Sequence, residues 1–335
     1  MLPITSPIKE NDMTRFTSLT CLLLATLTTT FALAEDAHCD RGCLEELTHQ
    51  YMQAVATNDT SAVPLMPGYR QTENTHVKRV GTGVWETVTG LKDNARLYLD
   101  PVNGQALWFG VIDTTMREPS EVAMVRLKVV DMEIAEAEWF FSGPGLGSMQ
   151  GPAQPDGTNE IMFAPDNLVA NPPPVRHIPV ADRLSRPALQ GIANSYFDAL
   201  TEEDGSLVLA HPDCFRLENG VKVTGRPLAE GRTDGYQGLT NCGSNFGNFN
   251  ISLVSHRRFF AVDEVQQVAA TSAIFLRNTN GHERRCIFIE IFYVDDNAIS
   301  QIYSVIYYPD PNDPAPNWEP YYGNFPLPES FGIAR

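Results

Sequence analysis

Glu290 is the residue whose neighbours best suit it to move a proton. It lies in the strand-like run Ile289-Glu-Ile-Phe-Tyr-Val294, where alternation puts Phe288, Phe292 and Val294 on its side. A lone carboxylate on an apolar face is either an acid or base whose pKa is raised by burial, or the ion-pair partner of an arginine. Both stay open from the sequence. His256 and Arg258 form a second candidate. Both fall on one face of the pattern Ile251–Val262, with Arg257 on the other. A histidine there could take a proton while Arg258 steadies developing negative charge, or the pair could face solvent. Glu73-Asn74 and Glu218-Asn219 recur at matching places and offer two related binding sites or two hairpin turns, since Asn tolerates the left-handed region. Tyr51 and Tyr196 recur too, on helical core stripes, where packing with a satisfied hydroxyl competes with ligand contact. Trp85, Trp108 and Trp139 could grip an aromatic ring or simply fill core, and His76 and His211, near turns, are expected to be exposed.

Other chemistries lack their signatures. No Gly-x-Ser-x-Gly elbow, His-Glu-x-x-His, phosphate loop or dinucleotide fingerprint occurs. No Cys-x-x-Cys occurs and the histidines are dispersed, so no metal site is expected. The net charge of −17 argues against nucleic acid and anionic membrane surfaces, both of which attract Lys and Arg. The acidic residues are scattered, as on a soluble, self-repelling surface, and 43% hydrophobic residues suffice for ordinary cores.

The elements that must hold these residues come in two similar sets. Tyr51 and Tyr196 are 145 positions apart, as are Glu73 and Glu218, while Ile134 and Ile299 are 165 apart. A recurrence in fixed order predicts two copies of one domain, the second carrying an insertion. Leu44, Leu47, Tyr51 and Val55 predict a helix, and so do Leu189, Ile192, Ala193, Tyr196, Phe197 and Leu200. Each helix precedes a hairpin around Glu-Asn and then a meander of strands. Asn219-Gly220 between strand patterns is a strong hairpin signal. Helices followed by strands read as α+β. Residues 141–186, with Ser-Gly-Pro-Gly and Asn171-Pro-Pro-Pro174, are linker chemistry, expected to lie partly packed on the surface.

The start of the chain reads as an export signal. Arg15 precedes an uncharged apolar stretch, Leu19 to Ala34, that closes on Ala32-Leu33-Ala34, and Met13 is a plausible true start. A retained anchor is the alternative, but the stretch falls short of the ~20 residues that span a bilayer. Cys21 lies too early for a lipoprotein cleavage site. Five cysteines remain after cleavage, and an oxidising compartment, secreted or periplasmic, predicts disulfides. Cys214 with Cys242 is the first expected pair, Cys39 with Cys43 a local loop, and Cys286 a buried thiol. Asn58-Asp-Thr60 and Asn250-Ile-Ser252 are glycosylation sequons if the host is eukaryotic.

Helix, hairpin and bent sheet resemble the SnoaL-like, or nuclear transport factor 2-like, fold. More closely, the chain resembles a secreted tandem SnoaL-like family of unknown function from fungi and bacteria. The carrying residues are Cys39-Asp-Arg-Gly-Cys-Leu44, Thr72-Glu-Asn74, Gly81-Thr-Gly-Val-Trp-Glu-Thr87, Arg126-Leu-Lys-Val129, Tyr196-Phe-Asp-Ala199, Cys214-Phe-Arg-Leu-Glu-Asn-Gly220 and Arg257-Arg-Phe-Phe-Ala-Val-Asp-Glu264. Thr75 stands where a glycine is expected, which puts the first hairpin turn in doubt, and the linker has no counterpart. The resemblance implies an α+β fold of two tandem cone-shaped domains, each with N-terminal helices packed on a strongly bent antiparallel sheet. The domains would span 35–140 and 187–308, with a signal peptide at 1–34, a linker at 141–186 and a Pro/Tyr-rich tail at 309–335.

Such a cone leaves an internal pocket, and enzymes on this fold place a carboxylate or histidine in it without a cofactor. The resemblance therefore implies an exported, cofactor-independent enzyme doing acid/base chemistry: elimination, hydration, isomerisation or aryl-ether cleavage on a small, partly aromatic or polyketide-like molecule. The alternative is a secreted small-molecule-binding protein without turnover. The expected partners are a small molecule and a second copy through the outer sheet faces, with no nucleic acid and no membrane once the signal is removed. Glu290, His256 and Arg258 are the expected catalytic groups, and Trp85, Trp108, Glu73, Asn74, Tyr196, Glu218 and Asn219 the expected binding groups. The first copy shows fewer polar residues on its inner face, so the second is expected to hold any active site.

Overall fold

The computed structural model describes residues 38–309 except 117–119, 144–149, 154–158, 162, 226–237 and 280–281. The expected signal peptide, and the tail from residue 310, lie outside the described residues.

Helix α1 (Arg41–Ala56) starts where Asp40 accepts the Cys43 N–H at 2.9 Å, and buries Leu44, Leu47, Tyr51 and Val55 along one stripe. It stops at Asn58, which takes the left-handed conformation at φ 52°. Strands β1 (Leu65–Glu73) and β2 (His76–Lys78) form the expected hairpin. Its turn has Asn74 at φ 43° and Thr75 at φ 74°. The later hairpin has Asn219 at 47° and Gly220 at 84°, so Thr75 adopts the glycine-like conformation despite its branched side chain. The short helix α2 (Val84–Thr87) leads into β3 (Val88–Leu91), β4 (Arg96–Asp100), β5 (Gln105–Thr114), β6 (Glu121–Val130) and β7 (Glu133–Ser142). Within 141–186, strands β8 (Gln150–Ala153) and β9 (Asn159–Ile161) pair, and helix α3 (Pro165–Ala170) follows. There Asn167 Nδ2 donates to Gly220 O at 2.7 Å, and Arg176 caps Gln266 and Gln267 carbonyls and stacks on Tyr293. Helix α4 (Arg186–Glu202) then precedes β10 (Ala210–Glu218), β11 (Val221–Lys222), β12 (Ile251–Asp263), β13 (Val268–Thr279), β14 (His282–Asp295) and β15 (Ala298–Tyr307).

The first sheet runs β2-β1-β7-β6-β5-β3 with β4 also on β5, and the second runs β11-β10-β15-β14-β13-β12. The expectation of a purely antiparallel sheet needs correction. β1 lies parallel to β7 and β10 parallel to β15, because each hairpin strand meets the last strand of its meander only after the intervening strands have been laid down. Register slips recur at matching places, Leu65/Arg70 with Ala210/Phe215 and Lys128/Val129 with Tyr293/Val294. Such bulges bend and twist the strands that carry them.

Alternation sorts the apolar residues into three cores. Ala123, Val125 and Leu127 face α1, while Phe288, Phe292 and Val294 face α4. Between the sheets lie Leu107, Phe109, Val122, Met124 and Phe140 from one side and Ile287, Ile289, Ile291 and Val305 from the other. The layers are helix, sheet, sheet, helix. The outer sheet faces, expected to seat a second copy, are instead packed on each other within one chain. A homodimer through those faces has no free surface to use.

This packing is clamped reciprocally. Arg41, the first residue of α1, pairs with Asp263 at 2.8 and 2.9 Å, and Asp263 also accepts the Leu99 N–H at 3.0 Å. Arg186, the first residue of α4, pairs with Asp100, and Asp100 accepts the Val262 N–H at 3.0 Å. Each half thus offers the other the same Arg and Asp, as the two sides of a twofold dimer do.

Cys39 is bonded to Cys43 and Cys214 to Cys242, while Cys286 is a buried free thiol. Asn58 and Asn250, the sequon asparagines, are exposed. No helix among the described residues is long and apolar enough to cross a membrane.

Candidate functional site

Glu290 is fully buried beside α4, on the side that alternation predicts. Arg216 ties it into a cluster. Nε of Arg216 lies 2.9 Å from Glu218, Nη2 lies 3.2 Å from Glu290, and Nη1 donates to the Tyr196 hydroxyl. Burial raises the Glu290 pKa to about 7, against the attraction of Arg216 and with the help of Glu218. The carboxyl oxygens approach Arg216 without hydrogen-bond alignment, so burial is little relieved. Glu290 is therefore an arginine's partner whose pKa burial nevertheless raises.

A folded-state pKa above the ordinary 4.5 has a fixed consequence for stability. Between 4.5 and about 7 the native chain keeps a proton that the unfolded chain has released. Stability should then fall as pH rises through that window. Glu290→Gln should flatten this slope in denaturation midpoints measured from pH 4.5 to 7.5; an unchanged slope would show that Glu290 titrates normally.

A cavity lined by Arg216, Glu218, Phe249, Phe275, Arg277 and Tyr308 among others holds about 30 Å³, room for about one water. Glu290 is not among its walls.

The other second-half candidates separate. Arg258 does not face the α4 core. Its guanidinium spans Glu138 of the opposing sheet at 3.1 and 2.7 Å, beside Arg126, which holds Glu136, Glu138 and Gln105. It is an inter-sheet ion pair, so its expected role at developing charge is withdrawn. Burial works against ionisation of Glu138, but Arg258 and Arg126 outweigh it and hold the pKa at about 2. His256 does not share a regular face with Arg258, because a register slip between Ser255 and Arg258 puts it at φ 52°. It is half-buried, and burial lowers its pKa. Arg257 turns the other way, to Asn194 and Asp198 on α4.

The recurring pairs have different fates. Asn74 Nδ2 donates to Phe141 O and its Oδ1 accepts the Phe141 N–H, both at 3.0 Å, while Asn219 Oδ1 accepts the Ile306 N–H at 2.9 Å. Both asparagines fasten a hairpin to the neighbouring strand. Trp85 and Trp108 are core residues, 1% and 2% exposed. Tyr196 is core too and holds Arg216. His76 and His211, expected to be exposed, are half-buried.

Glu73 is different. It borders a cavity of about 290 Å³ with Asn74, which lines the cavity as well as fastening its hairpin, with His76, Lys78, Thr87, Thr114 and Glu121, and with the apolar Val84, Val88, Ile112, Met116 and Phe141. Tyr307 completes the wall from β15 of the second sheet. The volume is at the low end for small-molecule sites. Glu73 Oε1 accepts the Val84 N–H at 2.8 Å and Gln71 Nε2 at 2.9 Å. Burial raises its pKa; those two bonds and Lys78 oppose the rise, and Glu86 adds to it. Gly83 makes the approach feasible. It sits at φ 66°, and a Cβ there would overlap Glu73 Oε1 and lie 2.6 Å from Oε2.

Gln71, Gly83, Arg216 and Tyr307 were missed as site residues. Period-two alternation carries a signal for two of them, since Gln71 and Arg216 each precede their glutamate by two and share its face. Gly83 lies inside Gly81-Thr-Gly-Val-Trp85. Tyr307 has no local signal.

Comparisons with known proteins are sparse. A family model described as a domain of unknown function (DUF8021) matches residues 182–306. No curated protein matches the chain. Among solved structures the chain is similar to AusH from Aspergillus nidulans, at 10% identity over 36% of this chain and 85% of that one, with a TM-score of 0.27. It is also similar to a protein assigned as a ketosteroid isomerase from Kribbella flavida, at 15% identity over 43% of this chain and 89% of that one, with a TM-score of 0.26. At those scores neither likeness bears on function, and the architecture rests on strand order and register.

Proposed function

We propose that the chain is an exported, cofactor-independent enzyme of two tandem SnoaL-like domains, and that it transfers a proton at Glu73 on a small, largely apolar molecule. The observation that supports this is a single geometry. A carboxyl with a raised pKa stands at the wall of a cavity large enough for a small ligand, with one oxygen tied by a backbone N–H and an amide. Raising a carboxyl's pKa makes it a stronger base, the direction that proton abstraction from carbon or oxygen requires. Ile112, Met116, Phe141 and Tyr307 would hold an apolar or aromatic body, and Lys78 and His76 would meet its polar end. Elimination, hydration, isomerisation and ether cleavage all fit this layout. The second half is the poorer place for turnover, since Arg216 occupies both of its carboxylates and the adjoining cavity holds about 30 Å³. Two disulfides accord with a secreted or periplasmic address.

The test uses a panel of small ring-bearing ketones, phenols and aryl ethers, with mass spectrometry for product and thermal shift for binding. Glu73→Gln is expected to keep ligand-induced stabilisation and lose about 10²–10⁴-fold in rate. Full activity in that variant removes Glu73 from the mechanism. Stabilisation without product in the parent protein leaves a binding protein.

A further inference from the structure

The two oxygens of Glu73 are not equivalent. Oε1 takes both hydrogen bonds, from Val84 N and Gln71 Nε2, while Oε2 receives none from the described residues. The Gln71 amide cannot be reversed. Its Oε1 accepts the Trp85 indole N–H at 2.7 Å, and an indole N–H only donates, so the amide oxygen must face Trp85 and the nitrogen must face Glu73. The Tyr69 hydroxyl donates to the same amide oxygen at 3.2 Å and meets the Tyr51 hydroxyl at 2.9 Å. Tyr51 in turn accepts the Trp139 indole N–H at 2.9 Å. A one-way chain of donors thus runs from Trp139 through Tyr51, Tyr69 and Gln71 to Glu73.

The second half shows what this position decides. Parallel pairing puts Gln71 opposite Ala137 and Arg216 opposite Ile302, with Trp139 opposite Glu73 and Ser304 opposite Glu218. Where the first half has an amide and a tryptophan, the second has a guanidinium and a serine. Arg216 takes over as donor to Tyr196 and converts Glu218 into an ion-pair partner. A neutral amide binds one carboxylate oxygen without adding a charge, whereas an arginine sets a positive charge beside it.

We propose that Gln71 is the positioning residue of the Glu73 site: it ties Oε1 and leaves Oε2 as the oxygen that exchanges a proton with a molecule in the cavity. This rests on Glu73 being the acid/base group. The fitting substrate carries its labile proton on an apolar body, so that Oε2 meets the proton while Phe141 and Tyr307 hold the remainder.

The experiment titrates the Glu73 carboxyl by carbon NMR in the full chain, with Glu73→Gln to assign the signal. Gln71→Met keeps the length and removes the donor, and should raise the Glu73 midpoint by about one pH unit. Any acid limb of a pH–rate profile should move with it. Trp85→Phe keeps an aromatic ring but removes the indole donor, leaving Tyr69 to hold the amide oxygen, and should raise the midpoint by less. His76 and Lys78 on β2, Glu86 on α2, Glu121 on β6 and Tyr69 on β1 are common to all variants, so the difference isolates the amide. A midpoint unmoved in folded Gln71→Met overturns the proposal, since packing alone would lower the melting temperature and leave the titration in place. If the midpoints move as stated but Glu73→Gln keeps full turnover, the acid/base role falls and the orientation of the carboxyl stands.

Discussion

Arg258→Ala is expected to destabilise the folded chain by about 3–5 kcal/mol. The substitution leaves Glu138, 3% exposed, inside the inter-sheet layer with one of its two arginines gone. The attraction removed is modest beside the cost of a buried carboxylate deprived of its donors. Arg257→Ala is the internal comparison. Its partner Asp198 is about half exposed, and the loss should stay within about 1 kcal/mol. Denaturant midpoints at constant slope decide the matter; a loss near 1 kcal/mol for both variants would mean that water reaches the inter-sheet cluster. A pH signature accompanies the effect. Glu138 is held at about 2 against an ordinary 4.5, so its contribution is complete above 4.5 and disappears as pH falls towards 2. In Arg258→Ala the Glu138 pKa rises, and that part of the acid limb should flatten.

Gly83→Ala is expected to cost about 1–3 kcal/mol and to abolish ligand-induced stabilisation at the first-half cavity. Two effects add. Gly83 holds φ 66° and ψ −116°, a conformation that side chains rarely adopt, and the new methyl would occupy the place of the Glu73 carboxyl. Glu73 must then swing away from Val84 N and lose the contact that sets its orientation. Gly191→Ala is the matched control. It sits on the exposed side of α4 with nothing within 4 Å of its Cβ position, and should stabilise the helix by about 0.5–1 kcal/mol. A Gly83→Ala protein as stable and as responsive to ligand as the parent would mean that the loop carrying Gly83 relaxes freely, and that Glu73 is not held as described.

Local pattern explains which expectations survive. The stripes on α1 and α4, the two Asn hairpins, and the isolation of Glu290 among Phe288, Phe292 and Val294 all follow from periods of 3.6 and 2. The Cys214–Cys242 and Cys39–Cys43 pairs are the two that the small number and placement of the cysteines lead us to expect. The expectations that failed depend on contacts distant in sequence. Arg258 and Glu138 are 120 residues apart, so nothing near Arg258 shows that it pairs across a sheet interface. A bulge at His256 breaks the alternation that placed it beside Arg258. Trp85 and Trp108 looked fit to hold a ring, but large aromatics also make good core, and here they fill it.

From its sequence alone this chain determined its helices, its hairpins and the inward face of its regular strands, because each is decided by residues a few positions apart. Tertiary structure alone decided that the two sheets cover each other's outer faces, that Glu218 meets an arginine where Glu73 meets an amide beside a cavity, and that Tyr307 of one half walls the pocket of the other. Periodicity records that a face is buried but not what buries it, and the pKa of a carboxyl is set by whichever groups finally surround it.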